Sequence, residues 1–229
     1  MTVHGRFAAI VVVASSLLWS MATDAGQPCE VVPMPCTFEA VRFRFTVVDA
    51  ETRRPLADVH ALAEWQVHGP AGRLNGPLMV LDAMSDPDGV LKFPGWGPSE
   101  GPWDGIGIGR DPVITLFKSG YKTDILDNGY RGPARERERV RLATHDGRTY
   151  PLERFVGTPR EWVRELKKVR DGLAMPRSSE RTLKFRAQYL RRLELIAAER
   201  DKFPPEALQI GEFAWHLDRE LKFLREGHQ

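Results

Sequence analysis

The stretch FRFTVVDAETRRPLADVHALAEW, residues 43–65, decides how this chain is read. Phe43, Phe45 and Val47 alternate with Arg42, Arg44 and Thr46. Period-two alternation puts successive side chains on opposite faces, so this half is a strand buried on one side. The pattern stops at DAETRRP. There Asp49 can bond its own backbone and Pro55 fixes the exit, which is the chemistry of a turn. From Leu56 to Val67 the alternation resumes. Val59, Ala61, Ala63, Trp65 and Val67 take the apolar side, and His60 and Glu64 take the polar side.

The neighbouring segments repeat this pattern. PLMVLDAM, Pro77 to Met84, reads as a third strand. SDPDG follows, a turn in which Gly89 takes a positive φ at no steric cost, and VLKF, Val90 to Phe93, returns as the hairpin partner. PVITLFK and YKTDI are two further strands split by Ser119-Gly120. RERERVRLA, Arg135 to Ala143, reads as a last, charged edge strand. Seven short strands with frequent turn signals predict a β-sandwich.

Near Tyr150-Pro151 the composition shifts to Leu, Ala, Arg, Glu and Lys at helical spacing. TPRE, Thr158 to Glu161, is a capping box with proline at the first helical position. Trp162, Leu166, Val169 and Leu173 then share one face. A second helix, after Ser178-Ser179, aligns Leu183, Ala187, Leu190, Leu193 and Ala197. A third, after Pro204-Pro205, aligns Ile210, Ala214, Leu217, Leu221 and Leu224. The opposite faces, dense in Arg, Lys and Glu, read as solvated and ion-paired. The expected class is α+β: a seven-stranded sandwich over residues 37–150, then about three amphipathic helices over 151–229.

Ahead of the sandwich, FAAIVVVASSLLW (Phe7 to Trp19) follows Arg6, and Ser20-Met21-Ala22 offers small residues for cleavage. This reads as a secretory signal over residues 1–22. The apolar run is shorter than the roughly 20 residues that span a bilayer. No membrane span is expected after cleavage. Residues 23–36 form a Pro-rich arm in which Cys29 and Cys36 can pair as a disulfide in an oxidising compartment. A lipid anchor at Cys29 is the alternative, although Gln27-Pro28 fit a lipobox poorly. The expected location is periplasmic or secreted. Among 229 residues, 33 basic side chains offset 31 acidic ones, and a net charge of +2 argues against a nucleic-acid partner.

FTVVDAETRRPLADVHALAEW resembles the opening of carboxypeptidase regulatory-like domains, a family within the transthyretin-like, Ig-like group of seven-stranded sandwiches. The resemblance rests on Val48-Asp49, Thr52, Pro55-Leu56 and Val59. It extends to the hairpin SDPDGVLKFPGW and the Lys-x-Gly-Tyr turn in LFKSGYK, and it covers roughly residues 38–145. Where the family has glycine after the threonine, this chain has Arg53. The fold group includes 5-hydroxyisourate hydrolase, whose pattern holds a histidine where Thr46 stands, an arginine where Val90 stands, and a terminal Tyr-Arg-Gly-Ser. Tyr130-Arg131-Gly132 is here followed by Pro133 and a long further chain. Without that histidine and that arginine, the resemblance implies a scaffold rather than that chemistry.

Other candidate sites weigh little. Asp86-Pro87-Asp88-Gly89 lacks the oxygen count of a calcium loop. His60, His68 and His145 show no metal-ligand spacing. GIGIGR, Gly105 to Arg110, lacks the order and following helix of a phosphate loop. The most unusual segment is Pro94 to Pro112, read as one long loop in which Trp96, Trp103, Asp104 and Arg110 can face a ligand. The expectation is therefore an exported, non-enzymatic binding or accessory protein of the cell envelope. It would use no cofactor or metal, and its partner would be an envelope protein or a carbohydrate. Two alternatives stand beside it. One is a small hydrolase using His60 or His145 with that loop. The other is a structural subunit docking through its helices.

Overall fold

The structure, a computed structural model, describes residues 37–68, 74–100, 107–108, 112–128, 139–173, 175, 180–208 and 213–227. The expected signal, Cys29 and Cys36, Trp103, Asp104, Arg110, Tyr130 to Gly132 and Ile210 lie outside the described residues.

The strand read first is β2 (Phe43–Asp49), and it buries Phe43, Phe45 and Val47 as its alternation requires. It is the middle strand of three, between β11 (Thr149–Leu152), parallel to it, and β5 (Val90–Phe93), antiparallel. A second three-stranded sheet places β1 (Thr37–Ala40) between β10 (Val140–Arg141) and β6 (Trp96–Glu100). The third and largest sheet runs β4 (Leu74–Met84), β3 (His60–His68), β8 (Val113–Phe117), β9 (Asp124–Leu126). The short β7 (Gly107–Ile108) also pairs with β3.

Three sequence expectations are corrected here. VLKF is not the hairpin partner of the preceding strand: β5 pairs with β2, whereas β4 pairs with β3. SDPDG is thus an arch between sheets, and Gly89, at φ 73°, does take the left-handed conformation. Strand β3 begins at His60 rather than Leu56. Pro94 to Pro112 is not one uninterrupted loop, because β6 joins β1 and β7 joins β3. Strands β1, β6, β7 and β11 are additional to those expected; β1 alternates, burying Phe38 and Ala40 beside Thr37 and Glu39, whereas β6 carries no such pattern.

Helix α1 (Pro159–Asp171) starts at the expected capping box. Thr158 accepts from the Glu161 backbone, and the Glu161 carboxylate accepts from the Thr158 backbone at 2.7 Å. α2 (Glu180–Lys184), α3 (Arg186–Arg200) and α4 (Phe213–Glu226) follow. The fold is α+β in three layers. One core lies between the two smaller sheets and one face of the large sheet, around Phe43, Phe45, Trp65, Leu91 and Ile114. The second lies between the opposite face of the large sheet, at Leu62, Val80 and Phe117, and the helices, at Trp162, Leu166, Tyr189, Leu193 and Leu217. Strand β3 is therefore covered on both sides.

The stripe expected on the second helix is also corrected. Of Leu183, Ala187, Leu190, Leu193 and Ala197, only Leu193 is buried, and the face against the sheet is Phe185, Tyr189, Arg192, Leu193 and Ile196. The reason is what the helix rests on, a strip of polar side chains.

Candidate functional site

His60 and Glu64, placed on the polar side of β3, and Arg192 of α3 are among the most deeply enclosed polar groups of the described residues. His60 is 0% exposed, Glu64 1% and Arg192 0%. Period two places His60, Leu62 and Glu64 on one face. Pairing brings Asp82 of β4 and Thr115 of β8 beside Leu62 on that same face. Helix α3 closes over them.

Arg192 is the hub. Its Nε donates to Nδ1 of His60 at 2.9 Å, and its Nη2 donates to the backbone carbonyls of His60 and Thr115 at 2.9 and 2.8 Å. Its guanidinium also lies over the Phe117 ring. On the other side of the imidazole, Nε2 is 3.3 Å from Oδ2 of Asp82, which also pairs with Arg191. Further along β3, the Tyr189 hydroxyl and Gln66 Nε2 both donate to Oε1 of Glu64, at 2.8 and 3.2 Å. Arg192 Nη1, Thr115 Oγ1 and Gln66 Oε1 have no hydrogen-bond partner.

Burial sets the protonation states. It pushes the His60 imidazole down to about 4, helped by the charges of Arg192 and Arg191 and opposed by Asp82. It raises the Tyr189 phenol strongly, reinforced by Glu64. It disfavours the charged form of Arg192, against which Glu64 and Asp82 act. His60 is thus a neutral imidazole with both nitrogens engaged and no face open to solvent. The arrangement holds a proton at a fixed atom and does not offer a base to an outside molecule.

The remaining sequence candidates are dispersed. His145 packs with Phe45 and Tyr150 on the other core, its Nδ1 2.6 Å from the Tyr150 hydroxyl, so it does not join His60. Trp96 is half-buried, with its ring edge-to-face on Trp65 at 5.4 Å. Together with Phe43 and Phe93 these rings form an aromatic cluster in the first core. Among the described residues no three His, Cys, Asp or Glu side chains converge on a possible metal position. No described helix is long and apolar enough to cross a membrane. Sequence reasoning missed Arg192, Tyr189 and Asp82. The only available signal was a Tyr-x-x-Arg spacing on a face otherwise read as apolar.

No family profile and no curated protein matches the chain. Several solved structures are similar at low level. A 3-chlorocatechol 1,2-dioxygenase from Rhodococcus opacus 1CP aligns at a TM-score of 0.31 and 18% identity, covering 54% of this chain and 64% of that one. A hydroxyquinol 1,2-dioxygenase from Pseudomonas putida DLL-E4 aligns at 0.29 and 13%, covering 59% and 69%. The C-terminal domain of the shaft pilin SpaA from Lactobacillus rhamnosus GG aligns at 0.27 and 13%, covering 52% and 98%. The chain thus spans less than two thirds of the chlorocatechol enzyme. The expectation of a chain without enzymatic activity is withdrawn on this finding, because dioxygenases stand among its structural neighbours. The likeness is too slight to carry their chemistry or their residues over.

Proposed function

We propose that the protein is an exported binding or accessory protein of the cell envelope. In this reading a transthyretin-like, seven-stranded sandwich of the carboxypeptidase regulatory-like kind is braced by its own C-terminal helices. The scaffold reading draws support from where the resembling fragments meet. The Tyr121 hydroxyl of the Lys-x-Gly-Tyr turn donates to Asp49 Oδ2 of the Val-Asp motif at 2.9 Å. Gly89 of the hairpin motif lies so close to the Val47 carbonyl that a Cβ would stand 2.4 Å from it. Arg53 sits at φ 59°, the conformation that glycine adopts freely at that place in the family pattern.

The observation that carries the binding reading is the anchoring of the Pro94 to Pro112 segment beside the aromatic cluster of Trp65 and Trp96. It departs along β6 beside Trp96 and returns at β7 against Val67 and His68. A loop held at both ends on a rigid frame suits recognition. The helices pack Trp162, Leu166, Leu193 and Leu217 on the large sheet, which supports reading them as a brace for the sandwich. The test is an affinity capture from envelope extract with the mature chain, run beside Trp96→Ala. A saturable partner, either an envelope protein or a polysaccharide, that is lost with Trp96→Ala supports the reading. No partner, together with turnover of a small ester or amide, overturns it.

A further inference from the structure

The groups that face His60 come from every element packed around it. β4 supplies Asp82 and α3 supplies Arg192 and Arg191, while Glu64 of β3 and Tyr189 of α3 are bonded to each other further along the strand. β8 supplies the Thr115 carbonyl, and α2 packs on β4 with Glu180 and Lys184 exposed. Two guanidinium groups therefore meet two carboxyl groups, and the imidazole between them has one tautomer. A guanidinium only donates, so Nδ1 must present its lone pair to Arg192, and the single ring proton sits on Nε2 toward Asp82. A second ring proton would have to sit on Nδ1, pointing into the Arg192 N–H in a site closed to water.

We propose that His60 is a protonation latch: its neutral ring holds α3, and with it the helical layer, on the large sheet, and protonating the ring releases that layer. Acidic surroundings would then uncover the polar strip of β3 while the sandwich core stays intact. That core, around Phe45 and Leu91, shares no hydrogen bond with Arg192. The sign follows from the two states. Exposed, the ring takes its second proton near its ordinary 6.5, whereas enclosed it does so only near 4. The closed form is fully favoured above 6.5 and loses that preference as pH falls from 6.5 towards 4, by up to about tenfold per pH unit.

Amide hydrogen exchange on the full chain tests this at about pH 7 and about pH 5, after correction for intrinsic exchange. Protection in α3 falls about tenfold or more relative to β2 on acidification. An equal change in both elements overturns the latch. In His60→Asn, whose amide oxygen can still accept from Arg192, the acid loosening of α3 disappears; its persistence overturns the proposal. In His145→Gln it is retained; its loss there shows that the wrong histidine has been assigned. Should His60→Asn fail to fold, nitrogen-15 NMR of the wild-type ring decides. A neutral ring protonated on Nε2 at about pH 6 supports the latch, and a charged ring at that pH overturns it.

Discussion

The Tyr189 hydroxyl donates to Glu64 Oε1 at 2.8 Å, joining α3 to β3 across 125 residues of chain. Both side chains are buried, so the bond works where water cannot replace it. Tyr189→Phe keeps the ring and removes the donor. It is expected to cost about 1.5–3 kcal/mol, the range for hydrogen bonds to charged groups. Urea unfolding of the two proteins measures the loss, and an unchanged midpoint refutes the assignment.

Arg192 satisfies three acceptors at once. Arg192→Met removes the donor from the imidazole nitrogen and from two enclosed carbonyls, and it removes the charge that Glu64 and Asp82 act on. The expected cost is about 3–5 kcal/mol, as for breaking one side of a buried charged network. Arg192→Lys restores a charge without the planar fork, so it should recover only part of that loss. Full recovery by lysine would mean that charge alone, rather than geometry, matters at this position.

Gly89 has φ 73°, and a Cβ there would stand 2.4 Å from the Val47 carbonyl and 3.1 Å from the Leu56 nitrogen. Neither backbone group can move without disturbing β2. Gly89→Ala is therefore expected to destabilise by more than about 1 kcal/mol despite the entropy it removes from the unfolded chain. Thermal unfolding gives the answer, and a neutral or stabilising effect contradicts the close approach.

Asp49 closes its turn by accepting from the Thr52 backbone at 2.8 Å and from Tyr121 at 2.9 Å, and it pairs with Arg154. The Thr52 backbone bond, then the Tyr121 and Thr52 hydroxyls and the Arg154 charge, hold its carboxyl well below the usual 3.8 against the effect of burial. Its contribution is present above that ordinary value and is lost as pH falls through the depressed one. Asp49→Asn should flatten the acid limb of a stability-versus-pH curve below 3.8. An unchanged limb would mean that the carboxylate form does not matter to the fold.

Much of the local structure was legible. Phe43, Phe45 and Val47 alternate, and all three are buried. TPRE announces a helix, and α1 begins at its proline. The errors have a common cause. Proximity in sequence pairs VLKF with the preceding strand, but its cross-strand partners are Phe43 to Thr46. The spacing aligns Leu183 and Leu190 on one stripe, yet the buried positions of α3 include Tyr189 and Arg192. Each error assumed that a segment's surroundings follow from the segment itself.

From the order of residues alone come the strand rhythm, the turn glycines, the helix cap and the change from sheet to helix, because each rests on interactions within a few positions of chain. Folding in three dimensions alone decides that the polar side of β3 lies inside. Enclosing His60, Glu64 and Arg192 is tolerable because partners arrive from as far as 132 positions away. A buried polar group left without such a partner would cost about 1–3 kcal/mol, a large share of the stability a fold has.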